Sequence, residues 1–99
     1  MMEQQEKIRR YFYKNFKKHI HLRGYNYAIY LVEHFNIDLY DLTTFCNSIA
    51  EEFGIRGDSF KNTFIRFADA VQPGVKANIF LRCIQEDIKL GIERSENYE

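Results

Sequence analysis

Residues 41 to 71 read DLTTFCNSIAEEFGIRGDSFKNTFIRFADAV, and the expected fold turns on them. Leu42, Phe45, Cys46, Ile49, Ala50 and Phe53 recur at steps of three and four, which is one face of a helix, and Asp38 or Asp41 stands where its first free amides need an acceptor. Gly54 follows as the left-handed residue that closes such a helix. A second stripe, Phe60, Phe64, Phe67, Ala68 and Val71, predicts another helix, capped by Asp58 or Ser59 and stopped at Gln72-Pro73-Gly74. Each of those rings gains roughly 1.5 to 3 kcal/mol when buried, so the face must pack on something.

Together the two helices have the parts of a helix-turn-helix. Ala50 is the small residue at a crossing, Gly54 lies four residues on, and Ile49, Phe53 and Ile55 are apolar around them, while Phe60 and Phe64 anchor the second helix. Only Thr63 stands where an aliphatic is more usual. With Phe60, Phe64 and Phe67 turned inward, the outward face holds Arg56, Asp58, Ser59, Lys61, Asn62 and Ile65. Arg56, Lys61 and Asn62 are the candidates for reading base edges, since Arg pairs with guanine and Asn with adenine through two hydrogen bonds each. Asp58 fits a cap better than a reader. Thr43, Thr44, Ser59 and Arg66 are candidates for the phosphate backbone, where hydroxyls, free amides and cations position a protein. The plain alternative for each of these residues is a polar solvent face.

Outward from this unit the chain remains helical. Ile8, Tyr11, Phe12, Phe16 and Ile20 predict a helix over residues 3 to 19, from which Tyr13 alone is clearly off the stripe. Arg23-Gly24 reads as a break. A shorter helix follows from Tyr25 to Phe35 on Ala28, Ile29, Leu31, Val32 and Phe35. Val75, Ile79, Phe80, Cys83, Ile84 and Ile88 predict a last helix to Leu90, ended by Gly91, and residues 92 to 99 read as a frayed tail. No segment alternates with a period of two and no hairpin turn is present, so the expectation is all-α: one domain over residues 1 to 99, five or six helices around a helix-turn-helix, and no wing.

Composition agrees with one folded domain. Of 99 residues 45% are apolar, nine are Phe and seven are Tyr, well beyond what a disordered chain carries. No apolar run approaches the roughly 20 residues that cross a bilayer. Cys46 and Cys83 both lie on apolar stripes, and residues 1 to 18 are charged throughout rather than leader-like, so reduced, buried thiols and a cytoplasmic location are expected. Fourteen Lys and Arg balance fourteen Asp and Glu, yet residues 1 to 24 hold seven basic and two acidic residues, a net +5 against −5 for the rest. Lys17, Lys18 and Arg23 within that arm are candidates for following a phosphate backbone. The same charge would otherwise serve solubility.

The residues His19-Ile20-His21-Leu22-Arg23-Gly24-Tyr25-Asn26-Tyr27, then Ala28-Ile29 through Val32, Leu42-Thr43-Thr44 and Ile49-Ala50-Glu51-Glu52-Phe53 resemble the C-terminal effector domain of the stage-zero sporulation protein A family. The resemblance covers about residues 19 to 71, with a short gap after Tyr25. It implies an all-helical transcription factor that lays a recognition helix in the major groove and controls the start of sporulation. Cys46-Asn47-Ser48 replaces the family's Tyr-Pro element, and Ser59, Asn62 and Ile65 stand where its recognition helix carries arginines. The receiver domain that precedes the family's effector domain has no counterpart in the sequence, so phosphoryl control within the chain is not expected.

His19, His21 and His34 lack metal-ligand spacing, and no Gly-rich phosphate loop, Cys-x-x-Cys pair or nucleophile elbow occurs. The expected class is a sequence-specific DNA-binding regulator without enzymatic activity, cofactor or metal, partnered by double-stranded DNA and paired as a homodimer or in tandem on it. A protein-interaction module that keeps the fold but not the reading surface is the second class. The last helix, through Ile79, Phe80, Ile84 and Ile88, is the expected dimer contact.

Overall fold

The computed structural model describes residues 3 to 93. Among these, five α-helices follow one another with no strand: α1 (Gln4–Phe16), α2 (Arg23–His34), α3 (Leu42–Ile49), α4 (Gly57–Val71) and α5 (Ala77–Leu90). Single turns of 3-10 helix extend α1 over Lys17–His19 and α3 over Ala50–Phe53. The all-α expectation and the order of its helices hold.

The apolar stripes meet in one core. Phe12 and Phe16 of α1, Phe64 and Phe67 of α4 and Phe80 of α5 are buried completely or nearly so. Most of their rings pack edge-on or tilted, with centroids 5.1 Å apart for Phe12 and Phe16, 5.9 Å for Phe16 and Phe67, and 5.8 Å for Phe16 and Phe80, while Phe12 and Phe67 lie stacked at 6.4 Å. That is the geometry aromatic quadrupoles favour. A second aromatic group joins α2 to the α3–α4 unit: Tyr27 stacks on Phe60 at 4.3 Å, and Phe53 packs edge-on against Tyr27 and Tyr30. As expected from the sequence, Tyr13 faces solvent.

Several boundaries differ from the sequence reading, each for a physical reason. Arg23-Gly24 is the first turn of α2, and the chain bends instead at residues 20 to 22. Gly24 is there because α4 leaves no room for a side chain: a Cβ would overlap that of Phe67 and lie 2.7 Å from the Thr63 carbonyl oxygen. Ile20, placed on the first stripe by its spacing, is exposed because the 3-10 turn rotates it off the core. Arg56, without a side-chain bond, is the N-cap residue of α4 rather than Asp58 or Ser59, but Asp58 in the first turn does accept a free amide, that of Ser59, at 2.9 Å. α5 starts at Ala77 rather than Val75, and its buried face is Phe80, Leu81, Ile84 and Asp87, which leaves Ile79 and Cys83 outside.

Two features tie the ends of the chain to the core. The Tyr11 hydroxyl donates to the buried Asp87 carboxylate at 2.6 Å, joining α1 to α5. The first residues of the expected tail are held rather than frayed: the Ile92 amide donates to the Asp87 carbonyl at 2.8 Å, and Glu93 pairs with Lys14 at 2.9 Å and Arg10 at 3.2 Å. Residues 94 to 99 lie outside the described part. Among the described residues no helix is long and apolar enough to cross a membrane.

Candidate nucleic-acid interface

The unit formed by α3 and α4 is built from its caps inward. The Asp41 carboxylate accepts from the Thr44 amide at 2.9 Å and from the Thr44 hydroxyl at 2.7 Å, so Asp41, not Asp38, starts α3. Those bonds hold its carboxyl below the usual range, with the Lys61 charge adding to the effect. At the far end Gly54 takes φ +67°, and its amide closes the 3-10 turn onto Ala50 and Glu51. Ile55 and Arg56 then lead directly into α4.

Gly57 makes this turn tight. A Cβ there would overlap the Asn47 amide and lie 2.7 Å from the Asn47 Cα, so the backbone of α4 enters directly against Asn47 of α3. Neither Gly24 nor Gly57 is visible as a contact residue in a single sequence, where glycine reads first as a break. The usable signal is that both sit within four residues of a good helical stripe.

On the outer side of α4, Arg56, Asp58, Ser59, Asn62, Ile65 and Arg66 are exposed. Lys61 is half-buried, and its ammonium donates to the Thr43 hydroxyl at 2.6 Å, which joins one expected base reader to one expected backbone contact. Arg56 pairs with Asp58 at 3.2 Å, so two opposite charges at the start of the helix satisfy each other. Thr44 spends its hydroxyl in the cap. Lys61 also lies over Cys46; burial nonetheless dominates and pushes that thiol up to about 11. Cys83, expected to be buried, is exposed, because the core side of α5 is centred on Phe80, Leu81 and Ile84.

Lys17, Lys18 and Arg23 are exposed where α1 turns into α2. This corner packs on α4, with the His19 ring edge-on to Phe67 at 6.5 Å and Gly24 against Thr63 and Phe67. Among the described residues, no hydrogen bond or ion pair joins these three cations to any side chain. They lie toward the second half of α4, whereas Arg56, Lys61 and Thr43 gather at its start, and the structure brings the two groups onto one helix without direct contact. α4 itself is neutral, Lys61 and Arg66 balancing Asp58 and Asp69.

The expected dimer contact on α5 is not available as such. Phe80 and Ile84 are fully buried in the monomer, and only Ile79 of that set is largely exposed. No group of three or more His, Cys, Asp or Glu side chains is placed to hold a metal among the described residues. Compared with protein families, curated proteins and solved structures, the chain matches none.

Proposed function

We propose that this chain is a sequence-specific DNA-binding transcriptional regulator of the helix-turn-helix type, with α3 as the supporting helix and α4 as the recognition helix. The observation that carries the reading is the α3–α4 unit itself: two helices locked at Gly54 and Gly57, with Asp58, Ser59, Asn62 and Arg66 of the second exposed to solvent and Lys61 half-buried beside them. A helix held this rigidly at its start and free on one face has the form that enters a major groove. Arg56, Lys61 and Asn62 are the proposed readers, and Thr43, Thr44, Ser59 and Arg66 the proposed phosphate contacts beside them. Lys17, Lys18 and Arg23, unpaired within the described residues, supply the electrostatic attraction that α4 lacks. The resemblance to the stage-zero sporulation protein A effector domain supports a role in sporulation control; the cysteines support a cytoplasmic location, and the small surface that one recognition helix buries supports two copies paired on DNA.

One observation favours a second reading, a protein-interaction module. The charge on α4 sums to zero and Ile65 stands exposed in its middle, a composition that suits a protein surface as well as a polyanion. Selection of duplexes from a random pool, followed by fluorescence anisotropy on a selected and a scrambled site, separates the two. A regulator prefers the selected site by at least about a thousandfold at moderate salt. Equal affinity for both defeats sequence-specific reading.

A further inference from the structure

Leu39 is the most exposed large apolar side chain among the described residues, at 70%, and Tyr40 beside it is 51% exposed. Neither is loose. The Asn36 carbonyl accepts from the Leu39 and Tyr40 amides at 3.1 Å each, and the Asn36 side chain accepts from the Asp38 amide at 2.9 Å. The buried residues Phe35 and Leu42 anchor the segment on either side, so the turn presents Leu39 outward by construction. The sequence here is Asp38-Leu39-Tyr40-Asp41: an apolar tip between two carboxylates.

Elsewhere on the molecule is a surface of opposite character. Where the second half of α4 meets the start of α5, an open groove of about 340 Å³ is lined by the apolar residues Ile65, Ala68, Val75 and Ala77. Arg66 and Lys76 also line it, with Asp69 as the only acid, a net charge of +1 against −2 for the turn. The apolar tip and the apolar groove are each unfilled in the monomer, and their flanking charges are opposite in sign.

We propose that the 38–41 turn of one copy of this chain docks in the α4–α5 groove of a second copy, Leu39 and Tyr40 against its apolar lining and Asp38 toward Arg66 and Lys76, while Asp41 stays engaged as the α3 cap and adds only its charge. Turn and groove are different patches, so the contact is head-to-tail: a copy whose groove is filled still offers its own turn, and association continues past the dimer unless it closes into a ring. A four-residue turn in one groove covers less than the roughly 1,200 Å² of a standard complex, so the contact is of the weak, transient kind and is sought at roughly 0.1 to 1 mM chain. This inference is independent of DNA and is tested without it.

The test is sedimentation velocity across that concentration range on the wild-type chain and two variants: the turn variant Leu39→Ser with Tyr40→Ser, and the groove variant Arg66→Glu with Lys76→Glu. Wild type should sediment faster with concentration and pass the dimer. Each variant alone should stay monomeric, and an equimolar mixture should form a one-to-one dimer and nothing larger, because only one intact turn and one intact groove remain. Concentration-dependent amide shifts of the wild type, expected at both Leu39 and Val75, give a readout that no variant's folding affects. A wild type that stays monomeric, association that survives loss of the turn, a mixture that fails to pair, or shifts absent from either patch overturns the proposal.

Discussion

The Lys61 ammonium donates to the Thr43 hydroxyl at 2.6 Å, bracing the start of α4 against the start of α3. The bond fixes a long side chain that would otherwise lose rotamer freedom on meeting a ligand, so in the proposed complex Lys61 arrives already aimed. Thr43→Val should therefore weaken binding to a selected duplex even if Thr43 itself touches nothing.

Lys61→Ala and Asn62→Ala should each cost roughly 1 to 3 kcal/mol on the selected site and far less on random DNA, because base contacts carry the specificity. Lys17→Ala and Arg23→Ala should weaken binding to all sequences alike and flatten its salt dependence by about one unit of slope per lost contact. Anisotropy titrations at several salt concentrations distinguish the patterns, and identical behaviour of all four variants would contradict the division of roles.

Gly24→Ala should destabilise the fold by about 1 to 3 kcal/mol through overpacking against Phe67 and Thr63, even though alanine favours a helix by about 1 kcal/mol over glycine. Urea unfolding measures it. A more stable Gly24→Ala protein would mean that α2 and α4 do not cross as closely as the Thr63 carbonyl implies.

The two thiols should behave differently. Near pH 8 under native conditions, a thiol reagent should label the exposed Cys83 quickly and leave Cys46, with its thiol held up to about 11, unreacted until the chain unfolds. Cys83→Ser should remove the fast phase entirely. The raised Cys46 value also means that its contribution to stability is full below the unfolded thiol's value, near 8.5, and is lost as pH rises from there through about 11.

At the acid end, Asp41 and Glu93 are both held below the ordinary carboxylate range, Asp41 by bonds from Thr44 and Glu93 by the Lys14 hydrogen bond and the Arg10 charge. Their contribution is full above the unfolded values, near pH 4, and is lost as pH falls through the lower folded values. Urea midpoints measured between pH 5 and 2 should fall less steeply for Asp41→Asn and Glu93→Gln than for wild type. Parallel curves would show that neither ionised carboxylate contributes.

The stripes through Phe12 and Phe16, through Cys46 and Ile49, and through Phe60, Phe64 and Phe67 were readable because each lies on a regular helix whose period the sequence repeats. What the period could not give was the rotation of a helix whose apolar residues exceed its buried face. On α5, Ile79 and Cys83 fit the spacing as well as Leu81 and Asp87 do, and only packing against α1, α2 and α4 chooses between them. Asp87 was hidden for a further reason: a carboxylate on an apolar face reads as solvent until Tyr11, far away in the chain, brings it a hydroxyl. Of the candidate interface, the outward set on α4 followed from the inward one, whereas the Lys61–Thr43 bond and the glycine contacts depend on how two helices approach.

The meeting of Gly57 with Asn47 leaves a mark that any wider set of related sequences should carry. Position 57 has no room for a side chain whatever stands at position 47, because the Asn47 Cα itself would lie 2.7 Å from a Cβ there, so glycine should persist at 57 while residue 47 varies. That constancy would identify relatives whose α3–α4 turn is the same even after the outer face of α4 has changed beyond recognition.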